Sequence, residues 1–510
     1  MSDRRNFIRT SLMAAAGIAA SDTLLAKPLA NLQNKPKKKT KGMPANQQQL
    51  QNVNGLKTLL VKGKVTSVGY PLQDVVISDG LNCTTTDKDG TYSLLTDIRR
   101  EYLFMSIPSG QKIPVFSNYI PEFSYPISKI DEKEPYVEFR VIPEEGDDKK
   151  HNFLLLADPQ VLDDKDLQRF YAETVYDIKD FINEQKLTNV FSVGCGDIVY
   201  DHLELYEQFK QYYSIAKVPF FAVPGNHDTD KKSQSDEGSS ETFQNQMAPR
   251  YYSFNKGEVH YVVLDDVFYH GSGYIGYLEK DQMDWLKNDL SYIPKGKTVI
   301  LFTHIPPYNT EHTRLGESKP RVSTALMNRE GLYKLLDGYK SYIITGHMHE
   351  MEFIKDGGAE IHVCGAVCGA WWTADICGDG TPNGYMVYSV DGDKLTWQYK
   401  ATKKPFDHQI RIFNELNTDK KRVLANVWGA NKDWKINLYA DGQKKGEMTQ
   451  ILDKDPLSQS LFDGPELPKK HKWVDSYINY HMYEYKLEGT AQNIVVEAVS
   501  DQGKTFTQTL

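Results

Sequence analysis

Apolar and polar positions change their spacing along the chain, and each change marks a different architecture. From Leu59 to about Val141, short runs such as Val75-Val76-Ile77 and Tyr92-Ser93-Leu94 alternate with turns such as Asp79-Gly80 and Asp89-Gly90. That pattern predicts a small β-sandwich without helices. Asp87 and Asp89 read as turn formers before Gly90, with calcium coordination as the alternative. From Asn152 the period changes. Apolar runs at 153–157, 190–193, 220–223, 259–264, 299–302 and 342–344 predict strands. Between them, three- and four-residue apolar spacing predicts helices over 167–183, 203–215, near 282–290 and near 325–336. Alternation of this kind builds an α/β layered domain, with ligands gathered at the C-terminal strand ends. Beyond Gly384 the helical spacing stops. Runs at 385–388, 395–399, 423–427, 436–439, 483–487 and 494–499 predict a C-terminal β-domain, with 456–471 as a long loop inside it.

The first residues follow none of these patterns. Arg4-Arg5-Asn6-Phe7 precedes a weakly apolar stretch, 11–20, which reads as an export signal over 1–30 rather than as structure. The paired arginines with Phe7 resemble a twin-arginine signal, implying a periplasmic or extracellular destination in a bacterium; a general secretory signal is the alternative. Residues 31–56, basic and then Gln-rich, read as a linker. The expected units are therefore a β-sandwich over 57–145, an α/β layered sandwich as the catalytic domain over 150–370, and a β-domain over 371–510. No run of eighteen apolar residues suggests a transmembrane helix.

Charge is unevenly placed. The chain carries a formal −8, yet residues 1–42 hold nine Lys/Arg against two Asp/Glu, which leaves −15 on the remainder. An acidic body disfavours nucleic-acid polymers as partners, whereas bound divalent metals would reverse the local sign for a phosphate. The five cysteines (Cys83, Cys195, Cys364, Cys368, Cys377) form no CxxC pair and read as small buried residues.

Chemistry is concentrated where strands are expected to end. Asp158-Pro159-Gln160, Gly196-Asp197, Gly225-Asn226-His227-Asp228, Thr303-His304 and Gly346-His347-Met348-His349 each follow an apolar run. Any one alone would read as a cap or a surface residue. Together they place oxygen and imidazole donors around one crevice, a set that suits Mn, Fe, Zn and similar divalent ions. Glycines before Asp197, Asn226 and His347 permit the sharp turns that aim those donors inward.

In this order the five motifs resemble the calcineurin-like metallophosphoesterase superfamily, over about 200 residues from Asp158 to His349. The N-terminal unit is similar to the carboxypeptidase-regulatory or transthyretin-like modules of exported bacterial proteins. The superfamily resemblance implies a two-metal centre that hydrolyses phosphate monoesters or diesters with a bridging hydroxide. Asp197 resembles the shared carboxylate. Asp158, Gln160 and His349 resemble the ligands of one metal, and Asn226, His304 and His347 those of the other. His227 resembles the non-ligand histidine that stabilises the transition state or protonates the leaving oxygen. Asp228 and Asp201 are placed to orient histidines, with a purely structural role as the alternative for either. Gln160 stands where many members have His, so that metal is bound loosely through Gln160 or not by it.

The implied substrate is a phosphorylated small molecule, lipid or sugar. Trp371 and Trp372 read as domain-interface packing or as a pocket wall, Tyr308 as a weaker wall candidate, and Arg250 and Arg321 as phosphate contacts or surface ion pairs. Two other readings compete. Gly196-Asp197-Ile198-Val199-Tyr200 fits the GDxxY phrase of purple acid phosphatases, in which the tyrosine binds ferric iron; Tyr200 is otherwise a spectator. A binding or adhesion protein with a dead catalytic core would lack ligands, and none is missing apart from the Gln160 replacement.

Overall fold

The computed structural model describes residues 50–53, 56–247 and 249–510. The expected export signal and residues 31–49 of the expected linker lie outside them. Leu50–Val53, at the end of that expected linker, is instead a strand paired antiparallel with Leu56–Ser67. The N-terminal unit that follows is two small sheets without an α-helix, as its alternation predicts. Its Asp87 carboxylate accepts from the backbone N–H groups of Asp89 and Thr91 and from the Thr91 hydroxyl, which makes it a turn former.

The catalytic unit is built on two sheets. The strands of these two sheets in chain order are β1 (Lys150–Leu156), β2 (Val190–Cys195), β3 (Phe220–Val223), β4 (Tyr252–Lys256), β5 (Val259–Val263), β6 (Thr298–Phe302), β7 (Lys340–Thr345), β8 (Glu352–Asp356), β9 (Ala359–Val363), β10 (Gly384–Asp391) and β11 (Lys394–Ala401), and Val267–Tyr269 pairs separately with Tyr274–Gly276. One sheet runs β3-β2-β1-β10-β11 and the other β4-β5-β6-β7-β9-β8. Strands β1, β2 and β3 are mutually parallel, as are β5, β6 and β7. Parallel strands share one direction, so each sheet presents a row of C-terminal ends along a single edge.

Side-chain alternation divides the interior into two cores. Phe153 and Leu155 of β1, Phe191 and Val193 of β2 and Phe221 of β3 face the second sheet; Leu154, Leu156, Phe220 and Ala222 face the helices. Between the sheets the rings interlock, with Phe221 stacked on Phe254 at 4.1 Å and Phe153 edge-on to Phe302 at 5.7 Å. The helical layer opens with one continuous helix from Asp164 to Gln185, whose middle, Phe170–Val175, is wound as a π-helix. Asp163 caps it by accepting from the N–H groups of Lys165 and Asp166.

Two expectations are corrected here. Residues 384–401 were assigned to the C-terminal β-domain, but β10 pairs antiparallel with β1 and, with β11, completes the catalytic sheet. Residues 456–471 were expected to be loop throughout, but Pro456–Phe462 is a helix with Pro at its start and Asp455 as its cap. Past Arg411 the chain forms two four-stranded sheets around a separate core that includes Val423, Leu438 and Val496. All five cysteines are free, and four are buried. Among the described residues no helix is long and apolar enough to cross a membrane.

Candidate metal centre

Five strands are followed, within two to four residues of their ends, by a donor. Asp158 and Gln160 follow β1, Asp197 follows β2, Asn226 follows β3, His304 follows β6, and His347 and His349 follow β7. One sheet therefore contributes the oxygen side chains and the other the imidazoles. The turns are tight. Asp158, Gln160, Asp197, His347 and His349 all have positive φ, between 39° and 69°. Non-glycine residues held this way cost of order 1–3 kcal/mol each and persist only where the surroundings over-determine them. Here the surroundings are their own hydrogen bonds. The Asp158 carboxylate accepts from the His347 N–H at 2.8 Å, and that of Asp197 accepts from the His227 N–H at 2.7 Å.

Glycine is required by close approach as well as by φ. A Cβ on Gly196 would lie 2.2 Å from Nδ1 of His304, and one on Gly225 would lie 2.0 Å from the Asp197 nitrogen. The Asp197 carboxylate thus sits directly against the turn that carries Asn226.

Each of the three histidines is oriented by a backbone carbonyl. His304 Nδ1 lies 3.0 Å from the Cys195 oxygen, His349 Nδ1 2.7 Å from that of Gly369, and His347 Nε2 2.8 Å from that of Ser323. A carbonyl only accepts, so these nitrogens carry protons and the opposite ones point lone pairs into the crevice. There, His304 Nε2 meets Asn226 Oδ1 at 3.1 Å, Asp197 Oδ2 at 3.4 Å and His347 Nδ1 at 3.1 Å. His349 Nε2 faces Asp158 Oδ1 at 3.4 Å, and both atoms are buried without a hydrogen-bond partner among the described residues. Lone pairs brought so close call for a positive species between them. The donor types and these orphaned atoms fit divalent metal ions, with Asp197, His304 and His347 offering atoms within 4.8 Å of one another.

The protonation states point the same way. Burial alone would depress His304, but the charges of Asp197 and Asp158 outweigh it and raise its pKa to about 10, so at its Nε2 a proton competes with a metal ion for the same negative surroundings. Burial likewise opposes ionisation of Asp197, yet His304 and His227 hold its carboxyl well below the ordinary range. Burial, with the neighbouring His304, lowers His347 to about 3, so it stands as the neutral imidazole that a metal requires.

Gln160 departs from a simple ligand role. Its Nε2 donates to Asp197 Oδ2 at 2.6 Å, and its Oε1 lies 3.8 Å from the Cys368 sulfur. In this orientation the amide positions the shared carboxylate, and a half-turn of the amide would present the oxygen instead.

His227 is outside the donor set. Its Nδ1 lies 2.8 Å from Asp201 Oδ1, and Tyr200 stacks on its ring at 4.1 Å. Asp201 thus orients a histidine, whereas the same expectation for Asp228 is corrected. The Asp228 carboxylate accepts from the N–H groups of Ile198, Val199 and Gly225 and from the Tyr206 hydroxyl, tying the Asp197 turn to the Asn226 turn. Burial, with Asp197 adding, raises its pKa to about 7. Tyr200 itself is pushed up to about 12 by burial and by Asp201 and Asp197.

The paired tryptophans separate. Trp371 stacks on His349 at 4.1 Å, beside the donors, whereas Trp372 is buried, donates from Nε1 to the Pro159 oxygen and lies under Arg169. Tyr308 has Arg329 and His312 as its ring neighbours, and among the described residues none of the donors is one. Arg250 is neither a phosphate contact nor a surface pair; it is buried against Asp236, Asp265 and Glu279. Arg321 pairs with Glu317 and Glu311.

Three neighbours of the centre escaped the sequence reading. Asp266, buried just past β5, accepts from the N–H groups of His304 and Ile305; burial raises it to about 7. An apolar run ending in Asp265-Asp266 is the same signal that marked the other donors. Lys231 Nζ reaches the Asn226 oxygen at 3.0 Å and Asp201 at 3.3 Å. Tyr274 stands edge-on to His347 with ring centroids 6.0 Å apart.

Comparison with known proteins matches three consecutive regions to one family. Residues 151–351 match "Calcineurin-like phosphoesterase", 59–144 its N-terminal region and 361–506 its C-terminal region. Purple acid phosphatase 15 of Arabidopsis thaliana is 26% identical over 196 residues, 32% of this chain and 32% of that protein. A 3',5'-cyclic-nucleotide phosphodiesterase of Nostoc is 26% identical over 29% of this chain and 50% of its own length. A probable glycerophosphodiester phosphodiesterase of Arcobacter nitrofigilis is 28% identical over 33% of this chain and 60% of its own length. The match therefore spans less than two thirds of the length of these relatives. Matched in order from residue 59 to residue 506, the chain belongs to the calcineurin-like phosphoesterase superfamily.

Proposed function

We propose that the protein is a metal-dependent hydrolase of phosphate esters, acting on monoesters or diesters of small molecules, lipids or sugars. The observation that carries this reading is the convergence of buried donors whose free atoms face one another with no partner, Asp158 Oδ1 and His349 Nε2 above all. Asp158, Gln160 and His349 would hold one divalent ion and Asn226, His304 and His347 the other, with Asp197 between them. Such ions supply Lewis acidity and positive charge for the transferring phosphoryl group.

The chain's own contribution lies in placement and in one proton. Asp201 accepts from Nδ1–H of His227, which leaves Nε2 as the nitrogen free to work on substrate. His227 would give a proton from Nε2 to the leaving oxygen, with Asp201 holding the ring in place through Nδ1. Lys231, beside Asp201, balances the local negative charge. The names of the relatives, which include phosphatases and phosphodiesterases, support the reaction class.

Asp197→Asn tests the reading directly. Expected is loss of hydrolysis of 4-nitrophenyl and bis(4-nitrophenyl) phosphate in the presence of Mn or Zn, together with lower bound metal. Near-normal turnover with two bound metals would overturn the shared-carboxylate assignment.

A ferric centre is the second reading, favoured by Tyr200 in the Gly196–Tyr200 phrase and by the purple acid phosphatase among the relatives, whereas burial and the charges of Asp201 and Asp197 favour the neutral phenol. A purple, iron-loaded protein that loses its colour in Tyr200→Phe would establish it. A colourless protein active with divalent ions supports the first.

A further inference from the structure

Two rings of the centre begin an aromatic arc that the C-terminal unit completes. His349 stacks on Trp371 at 4.1 Å, and Trp371 meets Trp473 edge-on at 4.6 Å. Trp473 lies 5.3 Å from His471, His471 lies 6.2 Å from Tyr200, and Tyr200 stacks on His227 at 4.1 Å. The chain of rings thus runs from a metal-donor histidine to the expected proton donor. Its middle third comes from residues more than a hundred positions away in sequence.

The segment bearing His471 and Trp473 is pinned at several points. Lys470 forms an ion pair with the buried carboxylate of Asp166, in the first helix of the catalytic unit. Val474 is buried with Ala370, Ile376 and Phe462. Ser476 donates to Asp463 from both its N–H, at 3.1 Å, and its hydroxyl, at 2.6 Å. Both rings remain half-buried. Among the described residues none hydrogen-bonds the His471 imidazole or the indole N–H of Trp371 or Trp473. The arc consists of ring faces with unused polar edges, fixed beside the donors.

We propose that Trp473 and His471, with Trp371, form a stacking subsite for a planar ring on the organic side of the phosphate ester. The proposal rests on the phosphoesterase reading and narrows its substrates to esters carrying an aryl or nucleobase-like group. Flat faces favour a flat partner over an aliphatic one of the same size, because stacking adds to area burial. Free N–H edges suit the heteroatoms of such a ring. A subsite selecting an acyl chain or saturated ring by area alone would instead prefer the more apolar, non-planar group.

Binding of phenylphosphonate, cyclohexylphosphonate and methylphosphonate to the full chain loaded with Mn, measured by calorimetry, separates these outcomes. The phenyl compound is expected to bind about two- to twelvefold more tightly than the cyclohexyl one, the range that an aromatic pair contributes beyond area. That preference should vanish in Trp473→Ala and return in Trp473→Phe, with metal content unchanged in both. Equal binding of the phenyl and cyclohexyl compounds, tighter binding of the cyclohexyl one, or a preference that survives Trp473→Ala overturns the subsite. The wild-type comparison decides by itself should Trp473→Ala fail to fold. Because binding is read apart from turnover, hydrolysis without a phenyl preference removes only the subsite. A phenyl preference without hydrolysis removes only the enzymatic reading.

Discussion

A single methyl group at Gly225 should disable the centre without replacing any donor. The Cβ of Gly225→Ala would lie 2.0 Å from the Asp197 nitrogen and 2.3 Å from its Oδ1, against the 3.4 Å at which ordinary contact begins. About 1.4 Å of displacement is therefore forced, and neither side can yield freely. Asp197 is fixed by the Gln160 N–H on its carbonyl, at 2.8 Å, and by the His227 N–H on its carboxylate, at 2.7 Å. Gly225 is fixed by its own N–H to Asp228, whose carboxylate also holds Ile198. Overpacking of this kind costs about 1–3 kcal/mol in stability. The larger consequence is geometric, since a shift of about 1 Å at a reacting site costs roughly 10²-fold in rate. Expected for Gly225→Ala are a fall of at least that size in kcat/KM for 4-nitrophenyl phosphate and weaker retention of Mn on dialysis against a chelator. Gly331→Ala is the control, because its added Cβ meets only the flexible end of Met283 at 3.2 Å. A Gly225→Ala protein with wild-type rate and metal content would refute the claim that the shared carboxylate is wedged against this turn.

Two further outcomes follow from the same geometry. His227→Ala should keep both metals and lose roughly 10²–10⁴-fold in kcat, the range for a positioned acid; metal loss in that variant would make His227 a ligand instead. His151 sets a stability slope far from the chemistry. Burial lowers it from 6.5 to about 4, so only the unfolded chain takes up its proton as pH falls between those values. Folding should lose about 2 kcal/mol from this group between pH 6.5 and pH 5. His151→Gln, which can still meet the Tyr261 hydroxyl, should lack that loss in urea melts, and an equal loss in both proteins would contradict it.

The donor set was legible because it is written locally. An apolar run long enough for a strand, then glycine or a polar turn, then Asp or His, specifies a donor at a strand end whatever the strand's neighbours are. Asp266 obeyed the same rule and was overlooked. The helix at Pro456–Phe462 was also signalled, by Asp455-Pro456 at its start, but its apolar spacing was too short to register. Asp228 misled because adjacency to His227 in sequence is not contact. Its carboxylate points back into the turns rather than toward the ring.

What the sequence determined by itself is the kind of each element and which residues stand at its ends, since side-chain period and turn chemistry act over a few residues. Which strands become neighbours was decided only by the tertiary structure. Strands β10 and β11 read as the start of a β-domain, yet they close the catalytic sheet because β10 finds β1. The burial of β10 on both faces, Met386 and Tyr388 toward one core and Tyr385 and Val387 toward the other, is the signature of an inner strand. No local pattern names the partner. The same holds for the aromatic arc, since Trp473 and Trp371 meet only after two separate sheet systems have formed and docked. Pairing and docking depend on surfaces assembled from distant segments, so a composition that states what each segment can bury does not state against what.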